Sequence, residues 1–271
     1  MQVMGGSCSQ QANARYCAVS AVAAWPVASL TYRRLPWRGQ NAILARMTSP
    51  LPTLLETGPQ DAASSLTLAH GAGAAMTSLF LETMAALLAE RGIKIYRFEF
   101  AFMAARRVGG TKRPPPKAET LMPEYAAVLA HLAAQNKTKR PLYIGGKSMG
   151  GRVASMIADE NFAAGRIAGA VCLGYPFHPP GQPQTWRTAH LTALSCPTLI
   201  IQGDRDPFGT KAEVEALTLS PHIQFSWLGD GDHDFGPRGA SGFTRKGNLA
   251  AAADAVAGFL IKPVAGGVAP R

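Results

Sequence analysis

Ser148 lies in "IGGKSMGG", Ile144 to Gly151, where four glycines surround one serine directly after a short apolar run. Gly146-Lys147-Ser148-Met149-Gly150 within it reads G-x-S-x-G. A serine hydroxyl is a poor nucleophile until a base takes its proton. A serine exposed on a tight strand-to-helix turn needs glycines around it, because larger neighbours collide with the backbone. Two later stretches carry a matching acid and base. "LIIQGDRDPFG" brings Asp204 and Asp206 after an apolar run, and "WLGDGDHDF" brings His233 after another. In a nucleophilic triad Asp206 holds the His233 imidazole in one tautomer and stabilises its charged form, while His233 takes the Ser148 proton. The oxyanion formed on attack needs amide donors. Met149, next after the serine, offers one N–H. "HGAGA", His70 to Ala74, offers a second, with Ala72 expected and Gly73 as its alternate. His70 reads as a structural hydrogen-bonder. Each piece also has a plain reading: a capping serine in a Gly-rich turn, acids that favour turns, and a loop histidine. A phosphate loop fits poorly, since Gly-Lys-Ser is present without the earlier glycine of G-x-x-x-x-G-K-[ST].

The elements that must position these residues alternate along the chain. "SLTLAHGAG" is a strand entering a turn, and Thr77 to Arg91 has helical spacing with Gly92 as its stop. "IKIYRFEF", Ile93 to Phe100, alternates as a strand. Ala104 to Lys117 reads as a basic, Pro-rich loop, and Ala118 to Gln135 as a helix. "LYIGG" is a strand, followed by a helix from Met149 to Asp159. "AGAVCLGYPF", "PTLIIQGD" and "IQFSWLGD" are strands, with short and long helices at Thr210–Leu217 and Asn248–Ile261. Such alternation implies a mostly parallel sheet with helices on both faces. Ligands bind such sheets beyond the carboxyl ends of the strands, which is where Ser148, Asp206 and His233 fall. Arg106, Arg107, Lys112, Arg113 and Lys117 follow one strand, and Lys147 adjoins the serine. They are candidates to attract an anionic substrate, against the plainer reading of a solvated loop. Phe177 and His178 in "GYPFHPPG" are candidates to line the pocket.

Composition narrows the class. No run approaches the roughly 18 apolar residues that span a bilayer, so no membrane partner is expected. Residues 1–55 hold Arg15, Arg33, Arg34, Arg38 and Arg46 and no acid, which places half of the formal +10 there. The rest is an ordinary excess, and no nucleic-acid partner is expected. Cys8, Cys17, Cys172 and Cys196 form no C-x-x-C pair, so neither a disulfide framework nor a zinc site is implied and a reduced, cytoplasmic setting fits. "AVSAVAAWPVASL" resembles the apolar part of an export signal but has a poor charged lead. Residues 1–60 are read as a flexible extension, with Met47 as an alternative start, and 61–271 as the domain.

The motifs "LAHGAGA", "RFEF", "GGKSMGGR", "LGYPFHPPG", "QGDRDPFG" and "DGDHDF" resemble the dienelactone-hydrolase-like branch of the alpha/beta-hydrolases. That branch is shared by bacterial proteins and, in animals, by a testis-expressed protein and a subunit of the NSL chromatin complex. The resemblance spans about Ser64 to Leu260. It implies an alpha/beta-hydrolase fold and points to Ser148, Asp206 and His233. It brings no substrate, and the chain departs from true dienelactone hydrolases, which carry a cysteine where Ser148 stands. The stretch between Phe177 and Pro197 is too short for a large cap domain. The expected activity is a serine hydrolase acting through an acyl-enzyme on an ester or thioester of a small acyl substrate, with no cofactor or metal. A non-catalytic binding module and an acyltransferase are the alternatives.

Overall fold

In the central strands successive side chains divide between two apolar layers. In 169–173, Ala170 and Cys172 join one buried cluster, while Val171 and Leu173 join the other. An unbroken apolar run is what a strand covered on both faces requires. The computed structural model describes residues 53–261, apart from 108, 110–113 and 137. Its strands are β1 (Leu54–Thr57), β2 (Ser64–Ala69), β3 (Ile93–Phe98), β4 (Leu142–Lys147), β5 (Gly169–Leu173), β6 (Thr198–Gly203) and β7 (Ile223–Leu228). They form one seven-stranded sheet in the order β1-β3-β2-β4-β5-β6-β7. β1 runs antiparallel to β3, with Leu54 opposite Phe98, and every other pair is parallel.

The helices are α1 (Leu79–Glu90), α2 (Ala101–Arg107), α3 (Ala118–Gln135), α4 (Met149–Ala163), α5 (Lys211–Glu215) and α6 (Arg245–Ile261). On one face α1 and α6 pack together, burying Leu81, Met84 and Leu88 with Ala253, Val256 and Leu260. On the other, α3 and α4 bury Leu121, Val128 and Leu129 with Val153, Ala154 and Ile157. This is the mostly parallel, helix-flanked sheet of an alpha/beta-hydrolase. Between β5 and β6 the described chain holds only a single 3₁₀ turn, Ala189–Leu191, so no large cap is inserted there.

Two elements differ from the sequence reading. Ala101–Arg107 is helical, although Ala104–Lys117 reads as a loop. Its first amide, Ala101 N, donates to the Glu124 carboxylate at 2.7 Å, and Met103 is buried beneath it. That cap lies on α3 and is invisible locally. β1 falls inside the stretch set aside as an extension. It is a four-residue edge strand, too short to carry an alternation signal. Residues 1–52, including Met47, lie outside the described residues.

Candidate active site

Glycines make the turn at Ser148 possible by their missing side chains rather than by unusual dihedrals. A Cβ on Gly146 would lie 2.6 Å from the Ala69 carbonyl oxygen, and one on Gly150 the same distance from the carbonyls of Ala69 and His70. A Cβ on Gly145 would lie 2.2 Å from the Val171 carbonyl. The strained residue is Ser148 itself, at φ 52° and ψ −116°. A non-glycine there costs of order 1–3 kcal/mol and persists only where the surroundings over-determine it. The Ser148 side chain does not cap α4, which removes the capping-serine reading. Its N–H donates to Leu173 O at 3.0 Å, fixing the turn against β5.

The acid and base arrive on the two neighbouring strands. Asp206, past the end of β6, is fully buried. Its Oδ1 accepts from Phe208 N at 2.8 Å, and its Oδ2 accepts from Gln202 Nε2 at 2.9 Å and His233 Nδ1 at 2.7 Å. An ionised carboxylate only accepts, so Nδ1 carries the imidazole proton and Nε2 is left as the basic nitrogen. The Phe208 ring lies 4.2 Å from that of His233. The end of β5 touches both arms. Ser148 bonds to Leu173, and a Cβ on the next residue, Gly174, would sit 3.4 Å from His233 Cε1. The bond from Ser148 Oγ to His233 Nε2 is not formed in this structure; such catalytic bonds are often loose without substrate.

The "HGAGA" loop closes the other side. A Cβ on Gly71 would lie 3.7 Å from Ser148 Cβ, so Gly71 faces the serine. Gly73 stands exposed with open space around it. His70 is the structural residue expected. Its Nδ1 donates to Gly71 O at 2.6 Å and its Nε2 accepts from Phe100 N at 3.1 Å. Burial pushes its proton affinity down, which suits that neutral, two-handed role.

Four candidates for substrate contact are placed otherwise. Lys147 is buried, its ammonium 2.6 Å from His233 O and 3.2 Å from Asp234 Oδ1. It follows the in-out alternation of β4 and points beneath the turn, not to the rim. Phe177 is fully buried against Tyr175 and Phe225. His178 is buried as well, its ring edge-on to Trp186 and its Nε2 3.5 Å from Glu213 Oε2. Both belong to packing. Arg107 is engaged by the buried Glu99 at 3.1 Å. Arg106 reaches Ala72 O at 3.4 Å and lies over the Phe102 ring, beside the His70–Ala74 loop. Lys117 precedes α3, and Lys112 and Arg113 lie outside the described residues.

Two positioning residues went unread in the sequence. Gln202 donates to Asp206 and accepts from Tyr175 N at 2.7 Å, joining the acid to the end of β5. A lone amide in the apolar run "TLIIQG" was the available signal. Tyr125, on α3, donates to Gly145 O at 2.7 Å and accepts from Gly145 N at 2.9 Å, bracing β4 just before the turn. Helical spacing makes it a core residue and hides that role.

Residues 62–261 match the family model of the alpha/beta hydrolase domain. The chain belongs to that family. Among solved structures it is similar to an alpha-beta serine hydrolase homologue from Coxiella burnetii, at 21% identity and TM-score 0.55 over 79% of this chain and 92% of that one. It is similar to a dienelactone hydrolase from Anabaena variabilis at 21% identity and TM-score 0.59, covering 77% and 90%. Est1E from Butyrivibrio proteoclasticus, with bound ferulic acid, matches at 12% identity and TM-score 0.57, covering 78% and 96%. At these identities the structures share the fold, and membership of the superfamily points to a hydrolase. No helix among the described residues is long and apolar enough to cross a membrane.

Proposed function

We propose that the chain is a serine hydrolase that cleaves an ester or thioester of a small acyl substrate through an acyl-enzyme. The observation that carries this reading is Ser148, strained at φ 52° with a hydroxyl that caps nothing, on the same sheet as a histidine oriented by a buried carboxylate past the next strand ends. His233 Nε2 takes the hydroxyl proton as Ser148 Oγ bonds to the acyl carbon. The carbonyl electrons move to oxygen, held by the N–H groups of Met149 and Ala72. The leaving oxygen or sulfur departs with the proton from His233. Water, deprotonated in turn by His233, releases the acid and restores the serine. Asp206 stabilises the imidazolium at both stages.

The absence of a large inserted cap between β5 and β6 suits a short or flexible acyl group. Similar structures, one named a dienelactone hydrolase and one with ferulic acid bound, make small carbonyl substrates a sensible first panel. The buried free thiols Cys172 and Cys196 fit a reduced, cytoplasmic setting. Kinship with the NSL subunit and the testis-expressed protein rests on the sequence motifs alone. A binding module is favoured by one observation, the unformed bond between Ser148 and His233.

Short p-nitrophenyl esters and acyl thioesters, assayed with wild type and Ser148→Ala, decide between them. Turnover by wild type that vanishes in the variant is expected. Turnover equal in both overturns the nucleophile, and none in either favours the binding module. Added alcohol or thiol acceptors separate hydrolysis from acyl transfer by their products.

A further inference from the structure

Lys147 is a buried cation at the end of β4, directly before Ser148, and no step above uses it. Its ammonium meets three groups. It donates to the His233 carbonyl at 2.6 Å, pairs with Asp234 Oδ1 at 3.2 Å, and lies 5.2 Å from the centre of the Phe80 ring. It also sits against Gly174, where an added Cβ would approach Nζ to 3.1 Å. That glycine adopts φ 68° and follows Leu173, the partner of Ser148 N, and an added Cβ there would also come within 3.4 Å of His233 Cε1. A single side chain therefore ties the nucleophile strand, the end of β5 and the histidine loop together. Burying an ammonium is costly unless it is paired and hydrogen-bonded, so the site must be built for it.

We propose that Lys147 is a positioning residue: its ammonium clamps the His233 segment to the strand carrying Ser148 and sets how closely imidazole and hydroxyl approach. This rests on the triad reading above. Among the described residues no other group hydrogen-bonds the main chain of residue 233 itself, although the loop around it is braced at Asp230 and Asp232. Asp206 fixes the ring's far nitrogen, and Phe208 covers its face, but neither restrains the main chain of residue 233 along the sheet. Misplacing a reacting group by about 1 Å can cost on the order of 10²-fold in rate.

The clamp should be sensitive to alkali. Burial lowers the proton affinity of Lys147, opposed by the carboxylates of Asp234, Asp206 and Asp232. As pH rises and the ammonium becomes neutral, its attraction to Asp234 is lost and the clamp loosens. Removing the Asp234 charge takes away the foremost opposing group, so neutralisation moves to lower pH.

The test measures fluorophosphonate labelling of the full chain against probe concentration and pH. In Lys147→Met the limiting labelling rate is expected to fall on the order of 10²-fold, with the half-saturating probe concentration within about twofold, and with no fall of its own on the alkaline side. In Asp234→Asn, an exposed position that spares the fold, the alkaline fall of wild type is expected to shift down by about half a pH unit or more. Lys147→Met labelled at the wild-type rate with the wild-type pH profile overturns the proposal. So does an Asp234→Asn profile identical to wild type, which decides the matter if Lys147→Met fails to fold. Wild type that is not labelled at Ser148 overturns the triad reading, and this inference with it.

Discussion

Asp206 after β6 and Asp230 after β7 are both buried carboxylates at neighbouring strand ends, and their partners differ in charge. Asp206 is held by an amide side chain, a backbone N–H and the His233 ring. Asp230 is gripped by two guanidinium groups, Arg238 Nη2 at 2.6 Å and Arg205 Nε at 2.6 Å, and by Arg238 N at 2.6 Å. Arg238 chiefly, with Arg205, holds its carboxyl well below the usual range. The lesson lies in what each arrangement leaves over. Neutral donors orient Asp206 without cancelling its charge, so the charge remains to stabilise an imidazolium. Arginines cancel the charge of Asp230 and leave a strut, which pins the 229–238 loop that carries His233.

The most severe test of that contrast is Asp206→Asn. The shape survives while the imidazole loses its charge partner and its tautomer, so fluorophosphonate labelling should slow on the order of 10³–10⁴-fold. A loss under tenfold would put Asp206 in the same class as Asp230. Asp230→Asn is the counterpart. Labelling should stay within about tenfold of wild type, while thermal unfolding should fall by a few degrees. Its sign with pH is fixed. A carboxyl whose folded-state proton affinity is depressed stabilises above the ordinary carboxylate range and stops doing so as pH falls below it. The Tm difference between Asp230→Asn and wild type should therefore shrink in acid.

Gly150→Ala probes the turn that presents Ser148, between the two strand ends that carry neither acid. Its Cβ meets two backbone carbonyls at 2.6 Å, and neither can step aside cheaply. A loss of roughly 1–3 kcal/mol or more is expected, read by denaturant unfolding, and labelling of Ser148 should suffer with it. A fully active, fully stable alanine variant would mean that the turn is not as tight as described.

The smallest expected effect compares two imidazoles. His233 bonds the Asp206 carboxylate, whereas His190 bonds the Ser155 hydroxyl at 2.8 Å. Burial, and then the nearby Arg152, push the proton affinity of His190 down to about 4. The unfolded chain then binds the extra proton between about 6.5 and 4, so stability falls as pH drops through that window. His190→Gln should show a smaller decline in Tm from pH 7 to 4.5 than wild type. An equal decline would locate the acid sensitivity elsewhere, with His70, whose proton affinity burial also lowers, next in line.

Much of this was legible in the chain. The glycines about Ser148 announce a close approach because no other residue type tolerates it, and apolar runs ending in Asp206 and His233 mark strand ends on a parallel sheet. Side-chain direction was not legible. Lys147 looks like a rim cation because its neighbour is the nucleophile, but strand alternation turns it beneath the sheet's end. Phe177 and His178 follow a strand as pocket residues do, yet Gly174 at φ 68° turns the chain so that both are buried. The choice between Asp204 and Asp206 follows one hydrogen bond each. Asp204 Oδ2 accepts from Asp230 N at 3.0 Å, bracing the strut, while Asp206 takes the histidine. α2 and β1 depend on partners far away in sequence, which no local pattern reports.

The central claim is that Ser148 is made reactive by His233. Peptide mass mapping after timed exposure to a fluorophosphonate, in wild type and in His233→Ala, addresses it most directly. The expected result is a single adduct on Ser148, formed at least about 10³-fold more slowly in the variant. An adduct on another residue, or equal rates in the two proteins, would contradict the account.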